Sequence, residues 1–66
     1  MLPEVKALIE KRRELGLSRA RVGRLLSLPE NSVFRWETGR AVPRGLYLSR
    51  LRDFLQAMED VEGHDG

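Results

Sequence analysis

The 66-residue sequence contains no cysteine and a single histidine, His64. The absence of cysteine excludes a disulfide framework, an iron–sulfur centre, a zinc finger and a cysteine nucleophile. No apolar run approaches the roughly 18 residues of a membrane span, and residues 1–11 lack the pattern of a signal peptide. We therefore expect one small domain that folds by apolar packing, lies in the cytoplasm and has no membrane partner.

The sequence also lacks the residue combinations that are typical of an enzyme. Its serines have no base partner, because His64 lies among the acidic residues of the C-terminus, and no phosphate-binding glycine loop is present. No group of side chains has the spacing of a metal site. We predict no catalytic activity, no metal and no cofactor.

The charged residues are distributed unevenly along the chain. All 12 lysines and arginines lie within residues 1–52 together with five acidic residues, which gives this part a net charge of +7. Residues 53–66 contain five acidic residues and no basic one, a net charge of −5. The positive net charge of residues 1–52 favours an anionic partner, although a solvated surface of mixed charge would have the same composition.

Apolar residues recur at helical spacing, and prolines and glycines separate the segments that contain them. This pattern predicts an all-α fold, a compact bundle of four or at most five short helices that contains a helix-turn-helix. The predicted helices cover residues 3–15, 19–26, 29–38 and 45–58. Residues 1–58 are predicted to form the domain, and the acidic residues 59–66 are predicted to be a disordered tail.

The second and third predicted helices have the spacing of a helix-turn-helix. Gly23 provides a small residue where the two helices of such a unit approach each other, and Leu28 is an inward-pointing apolar residue just after the short turn. Val33 and Trp36, three residues apart, are predicted to be buried on the inner side of the third helix. The outer side of that helix is then free to enter a major groove about 12 Å wide.

Several sequence runs match one known pattern in a single register. The matching residues are RRELGLS at 12–18, Val22–Gly23, VFRWETG at 33–39, Pro43, and the leucines Leu48, Leu51 and Leu55. Together they resemble the lambda-repressor/Cro-like (XRE-type) helix-turn-helix family. The resemblance implies double-stranded DNA as a partner and a transcriptional regulator of the repressor type. It also implies a buried ion pair between Arg12 and Glu37 that joins the recognition helix to the first helix.

The sequence departs from this family pattern at several positions. Arg19 replaces the usual Gln, Gly23 the usual Ala, Ser27 the usual Gly, and Pro29 the usual Ser or Thr. A serine at position 27 strains the turn if the backbone there needs a positive φ. The pattern of the family's fifth helix is missing after Leu55, so the region that commonly forms the family's dimers has no counterpart here.

Side chains on the outer side of the third predicted helix match base edges. Arg35 has the paired donors that guanine accepts, and Asn31 has the donor and acceptor that match adenine. Glu30 fits either a cytosine amino group or the positive end of the helix, and Phe34 fits either a thymine methyl group or a protein interface. The predicted base contacts are Glu30, Asn31, Ser32, Phe34 and Arg35. The predicted phosphate contacts are Ser18, Arg19, Arg21, Arg40 and Arg44.

Two hypotheses from different classes follow. In the first, the protein is a nucleoid-associated, sequence-specific transcriptional regulator that inserts residues 29–38 into the major groove as a homodimer on an inverted repeat. In the second, it is a protein-interaction module, either an antitoxin or a polymerase adaptor, with weak or no specific DNA binding. The arginines around the predicted reading surface favour the first hypothesis. Glu30, Phe34 and the acidic tail favour the second.

Overall fold

The computed structural model describes residues 1–63, with side chains described for residues 1–59. The described chain consists of α1 (Pro3–Leu15), α2 (Arg19–Leu25), α3 (Ser32–Glu37) and α4 (Gly45–Gly63), and no strand occurs among its residues. The prediction of an all-α fold with four helices is therefore confirmed. Within this described part, no helix is both long enough and apolar enough to cross a membrane.

All four helices contribute to one apolar core. Its buried residues are Val5 and Leu8 from α1, Val22 from α2, Leu26 directly after α2, Val33 and Trp36 from α3, and Leu51 from α4. α1 packs against both α3 and α4, and α2 packs against α3. Trp36 is a core residue as predicted, with only 5% of its surface exposed.

The ends of the first two helices follow directly from the sequence. Pro3 opens α1, where its missing N–H is not needed. Gly16 ends α1 with φ 70, a left-handed conformation that glycine adopts without steric cost, and its N–H donates to carbonyls of the last turn. The Ser18 hydroxyl then accepts a 3.0 Å hydrogen bond from the N–H of Arg21 and caps α2.

The third helix begins later than predicted, at Ser32 instead of Pro29. Asn31 has φ 66 and therefore cannot continue a right-handed helix toward the N-terminus. Instead, the N–H and the hydroxyl of Ser32 both donate to the Pro29 carbonyl, at 3.2 and 2.7 Å, and close a turn. Glu30 and Asn31 consequently lie in the turn before α3, and the helix itself is only six residues long.

The side of α2 that faces the core carries Val22 and, one turn further on, Leu26, whereas Leu25 is 54% exposed. Adjacent residues on a helix point in directions about 100° apart, so Leu25 cannot share the inner side with Leu26.

α4 extends five residues beyond its predicted end at Met58 and ends at Gly63. The sequence between these two residues has no proline or glycine to stop a helix, and its acidic residues tolerate helical geometry. The expected acidic tail, residues 59–66, therefore overlaps the helix as far as Gly63. Residues 64–66, including His64, lie outside the described residues, and the division of the chain at residue 58 stays a prediction.

The turn between α2 and α3 is held by a residue of α4. Ser27 has φ 54, so the strain that the sequence suggested at this position is present. The Nη1 of Arg50 donates to the Ser27 carbonyl at 2.8 Å and to the Leu26 carbonyl at 3.4 Å, and the Arg50 guanidinium lies 5.7 Å from the centre of the Tyr47 ring. Arg50 therefore fixes a strained turn through charge-assisted hydrogen bonds.

Gly23 does not have the steric role that its sequence position suggested. It lies inside α2, and a Cβ placed on it would meet no atom within 4 Å, so a close approach of the two helices does not require glycine there. The same is true of the space around Gly16, but the backbone of Gly16 has a positive φ. The two glycines therefore differ in backbone conformation and not in available space.

We expect Gly23→Ala to raise the free energy of unfolding by about 0.5–1 kcal/mol, because alanine is a better helix former and no neighbour obstructs its methyl group. Gly16→Ala is the matched control and should lower it by about 1–2 kcal/mol, since alanine is strained at that φ. Urea denaturation followed by circular dichroism measures both. A destabilised Gly23→Ala variant would mean that α2 and α3 approach more closely than described.

Candidate nucleic-acid interface

A buried carboxylate at the end of α3 connects three parts of the domain. The Glu37 side chain is only 2% exposed. Arg12 of α1 donates to it twice, from Nε to Oε2 at 2.7 Å and from Nη2 to Oε1 at 2.8 Å. Arg19, the first residue of α2, donates from Nε to Oε1 at 2.8 Å. The structure thus brings together Arg12 and Glu37, the expected pair, and adds Arg19, which the sequence suggested only as a phosphate contact.

The surroundings of Glu37 keep it ionised. Burial alone would raise the pKa of its carboxyl group, but the hydrogen bonds from Arg12 and then Arg19 lower the pKa below its ordinary value of 4.5. The same contact raises the pKa of Arg12, whose Nη1 also donates to the Leu17 carbonyl at 3.1 Å. No buried side-chain polar atom in the described residues lacks a hydrogen-bond partner, so the network is fully satisfied.

The predicted base contacts lie on or just before α3, on the side away from the core. Arg35 is exposed on α3, and Glu30 and Asn31 are exposed in the preceding turn. Arg35 forms no ion pair with any residue of the described chain, so its donors face solvent. Asparagine tolerates the left-handed backbone that this turn requires at position 31.

Two predicted contact residues already use part of their hydrogen-bonding capacity within the domain. The Ser32 hydroxyl donates its proton to the Pro29 carbonyl, which leaves only the acceptor lone pairs of Oγ for another partner. The Ser18 hydroxyl accepts from Arg21 N–H, which leaves its own proton free to donate to a phosphate. Ser18 is therefore better suited to a phosphate contact than Ser32 is to a base contact.

Phe34 is half-buried and not a fully outward side chain as the sequence suggested. The guanidinium carbon of Arg19 lies 5.3 Å from the centre of its ring, and that of Arg40 lies 5.4 Å away. Both distances are within the range of a cation–π interaction. A predicted base contact and two predicted phosphate contacts thus form one cluster.

Further cations on α2 and in the loop after α3 are exposed, namely Arg21, Arg24 and Arg44. A cleft of about 430 Å³ lies between α2 and α3, and its lining includes Arg19, Arg24, Asn31 and Phe34. Arg24 was not among the phosphate contacts predicted from the sequence, although its position three residues after the exposed Arg21 places both on one side of α2.

The part of the chain with described side chains contains no group of three or more metal-ligating residues. The candidate interface presents fixed hydrogen-bond donors and positive charges next to a short helix. These groups can bind an anionic polymer that carries hydrogen-bond acceptors along its edges.

The two short helices, their tight turn and the cationic outer side define a helix-turn-helix domain. Residues 8–57 match a family model described as a helix-turn-helix, of the XRE/lambda-repressor-like type, and the chain belongs to this family of DNA-binding transcription regulators. No curated protein and no solved structure gives a significant match to the chain.

We expect Glu37→Gln to lower the free energy of unfolding by about 3–5 kcal/mol at neutral pH, because it leaves the poorly exposed Arg12 without its counter-charge. The folded-state pKa of Glu37 is lowered, so the contribution of its charge is complete above 4.5 and is lost as the pH falls toward the folded-state value. The difference in stability between wild type and variant should therefore shrink below pH 4.5. Urea titrations at several pH values measure this difference in the free energy of unfolding. A difference independent of pH would contradict the assignment of Glu37 as an ionised partner of Arg12.

Proposed function

We propose that the protein is a sequence-specific transcriptional repressor that places α3 and the turn before it in the major groove of DNA. The observation that carries this proposal is the division of α3 into two sides. Trp36 and Glu37 fix its inner side to the core and to α1 and α2. Its outer side exposes Arg35, and further exposed cations lie on α2 and in the loop after α3.

The residues that would contact base edges lie near the N-terminus of α3 and on its outer side. In helix-turn-helix proteins the first residues of the recognition helix contact base edges. Asn31 and Glu30 lie at that end and Arg35 lies one turn further along, so all three can face the same groove. Arg35 would donate to guanine, Asn31 would pair with adenine, and Glu30 would accept from cytosine.

We assign phosphate contacts to Ser18 and to exposed cations on either side of α3. Ser18 and Arg21 lie at the start of α2, and Arg40 and Arg44 lie in the loop between α3 and α4. These contacts orient the domain on the duplex without reading its sequence. They also predict a strong dependence of affinity on salt, because each neutralised phosphate releases counterions.

We also propose that the protein binds as a homodimer. A recognition helix of six residues offers few base contacts, and a second copy on an inverted repeat would double them. The start of α4 supports this, since Leu46 is 62% exposed and Tyr47 is 39% exposed. Phe54 and Met58, further along α4, are half-buried in the domain itself.

We expect selection from a randomised duplex pool to enrich an inverted repeat. Arg35→Ala should weaken binding to the selected duplex by about 1–3 kcal/mol and relax the preference at one base pair of each half-site. Fluorescence anisotropy measures both effects. Arg52→Ala is the matched control, because Arg52 is an exposed arginine paired with Glu4 at 3.1 Å on the α1–α4 side of the domain.

Other outcomes of the same experiment would lead to different conclusions. Enrichment of a single half-site would contradict the homodimer, and binding without any enriched sequence would contradict specific readout. An absence of binding even at low salt would favour the alternative function, an antitoxin or polymerase adaptor that contacts protein through its exposed apolar residues. Leu25 and Leu46 are the most exposed leucines for such a contact.

A further inference from the structure

We propose that Phe34 is a positioning residue that holds the guanidinium groups of Arg19 and Arg40 ready for DNA phosphates, and that it does not itself read a base. The inference rests on the proposed DNA-binding function and assigns Phe34 a different role from a thymine contact. It is based on the cluster of these three side chains, in which one ring contacts two cations.

Arg19 is held from two directions. Its Nε donates to the buried Glu37 carboxylate at 2.8 Å, and its guanidinium carbon lies 5.3 Å from the centre of the Phe34 ring. Its side chain nevertheless remains 41% exposed, so part of the guanidinium faces solvent. An arginine that is fixed in this way loses less conformational freedom when it binds a phosphate.

Arg40 is held by the backbone and by the same ring. Gly39 has φ 77 and turns the chain after α3, and the N–H of Arg40 donates to the Arg35 carbonyl at 2.8 Å. These two features direct the exposed Arg40 side chain back toward α3. Its guanidinium carbon then lies 5.4 Å from the centre of the Phe34 ring.

The position of Phe34 explains why an aromatic residue is useful on this surface. Phe34 is half-buried and lines the cleft between α2 and α3, so its ring is supported on one side by the domain. A ring attracts a cation through the negative charge of its face, and an aliphatic side chain of similar size does not. The two arginines belong to different parts of the chain, and Phe34 contacts both of them.

A positioning role and a base-reading role of Phe34 predict different effects of DNA sequence and salt concentration on affinity. Phosphate contacts are independent of sequence, and each one contributes about 0.9 to the slope of log affinity against log salt concentration. Loss of a positioning residue should therefore weaken binding to every duplex by a similar factor and reduce the slope. Loss of a thymine contact should weaken binding only where the thymine is present and leave the slope unchanged.

The experiment compares wild type, Phe34→Leu and Phe34→Tyr on the selected duplex and on a random duplex at several salt concentrations. We expect Phe34→Leu to weaken binding to both duplexes by a similar factor, roughly 5- to 20-fold, and to reduce the slope by about 1 to 2. Phe34→Tyr, which keeps the aromatic ring, should retain the wild-type affinities and the wild-type salt slope. A loss confined to the selected duplex, with an unchanged slope, would overturn the proposal.

A second measurement on the free protein does not depend on DNA binding. In wild type the ring current of Phe34 should shift the side-chain proton resonances of Arg19 and Arg40, and Phe34→Leu should remove both shifts while the spectrum of a folded domain remains. If Phe34→Leu does not fold, Arg40→Ala replaces it, and it should reduce the salt slope by about 1. Shifts that are absent from wild type would overturn this inference, whereas shifted resonances in a protein that binds no duplex would overturn only the DNA-binding function.

Discussion

The structure depends on the neutralisation of one buried carboxylate. Glu37 is almost fully removed from solvent, and it is stable there because arginines from α1 and α2 donate three hydrogen bonds to it. A six-residue helix has little stability of its own, since most of its residues are needed to form its first turns. The side chains of Trp36 and Glu37 therefore hold α3 in place, one by apolar packing and the other by charge.

The same contacts connect stability to binding. Arg19 is shared between the buried carboxylate and the exposed cationic surface, so the side chain that fixes the inner side of α3 also contributes to the outer side. At the other end of the unit, Arg50 holds the carbonyls of the strained turn between α2 and α3. Arginines at both ends of the helix-turn-helix thus help to set the orientation of α3. These charged side chains provide stabilisation that a larger apolar core would provide in a longer domain.

The sequence predicted the number of helices, the buried Trp36 and the cationic surroundings of α3, because apolar periodicity and charge are visible in a single chain. The Arg12–Glu37 contact could be predicted only through the resemblance to a family, because no local sequence pattern relates residues so far apart in the chain. The late start of α3 could not be predicted, because it depends on the positive φ of Asn31 and the Ser32–Pro29 hydrogen bonds. Nor were the partners of Arg50 and Phe34 visible, since they depend on how separate helices pack.

In the proposed function, α2, α3 and the loop after α3 form one DNA-binding surface that Glu37 holds in place. The most direct test is an NMR titration of the wild-type domain with a duplex that it binds, followed through the backbone amides. We expect the largest shifts within residues 18–24 and 30–44 and small shifts around the Glu4–Arg52 ion pair, which joins α1 to α4. Large shifts around that ion pair, with α3 unaffected, would contradict this DNA-binding surface.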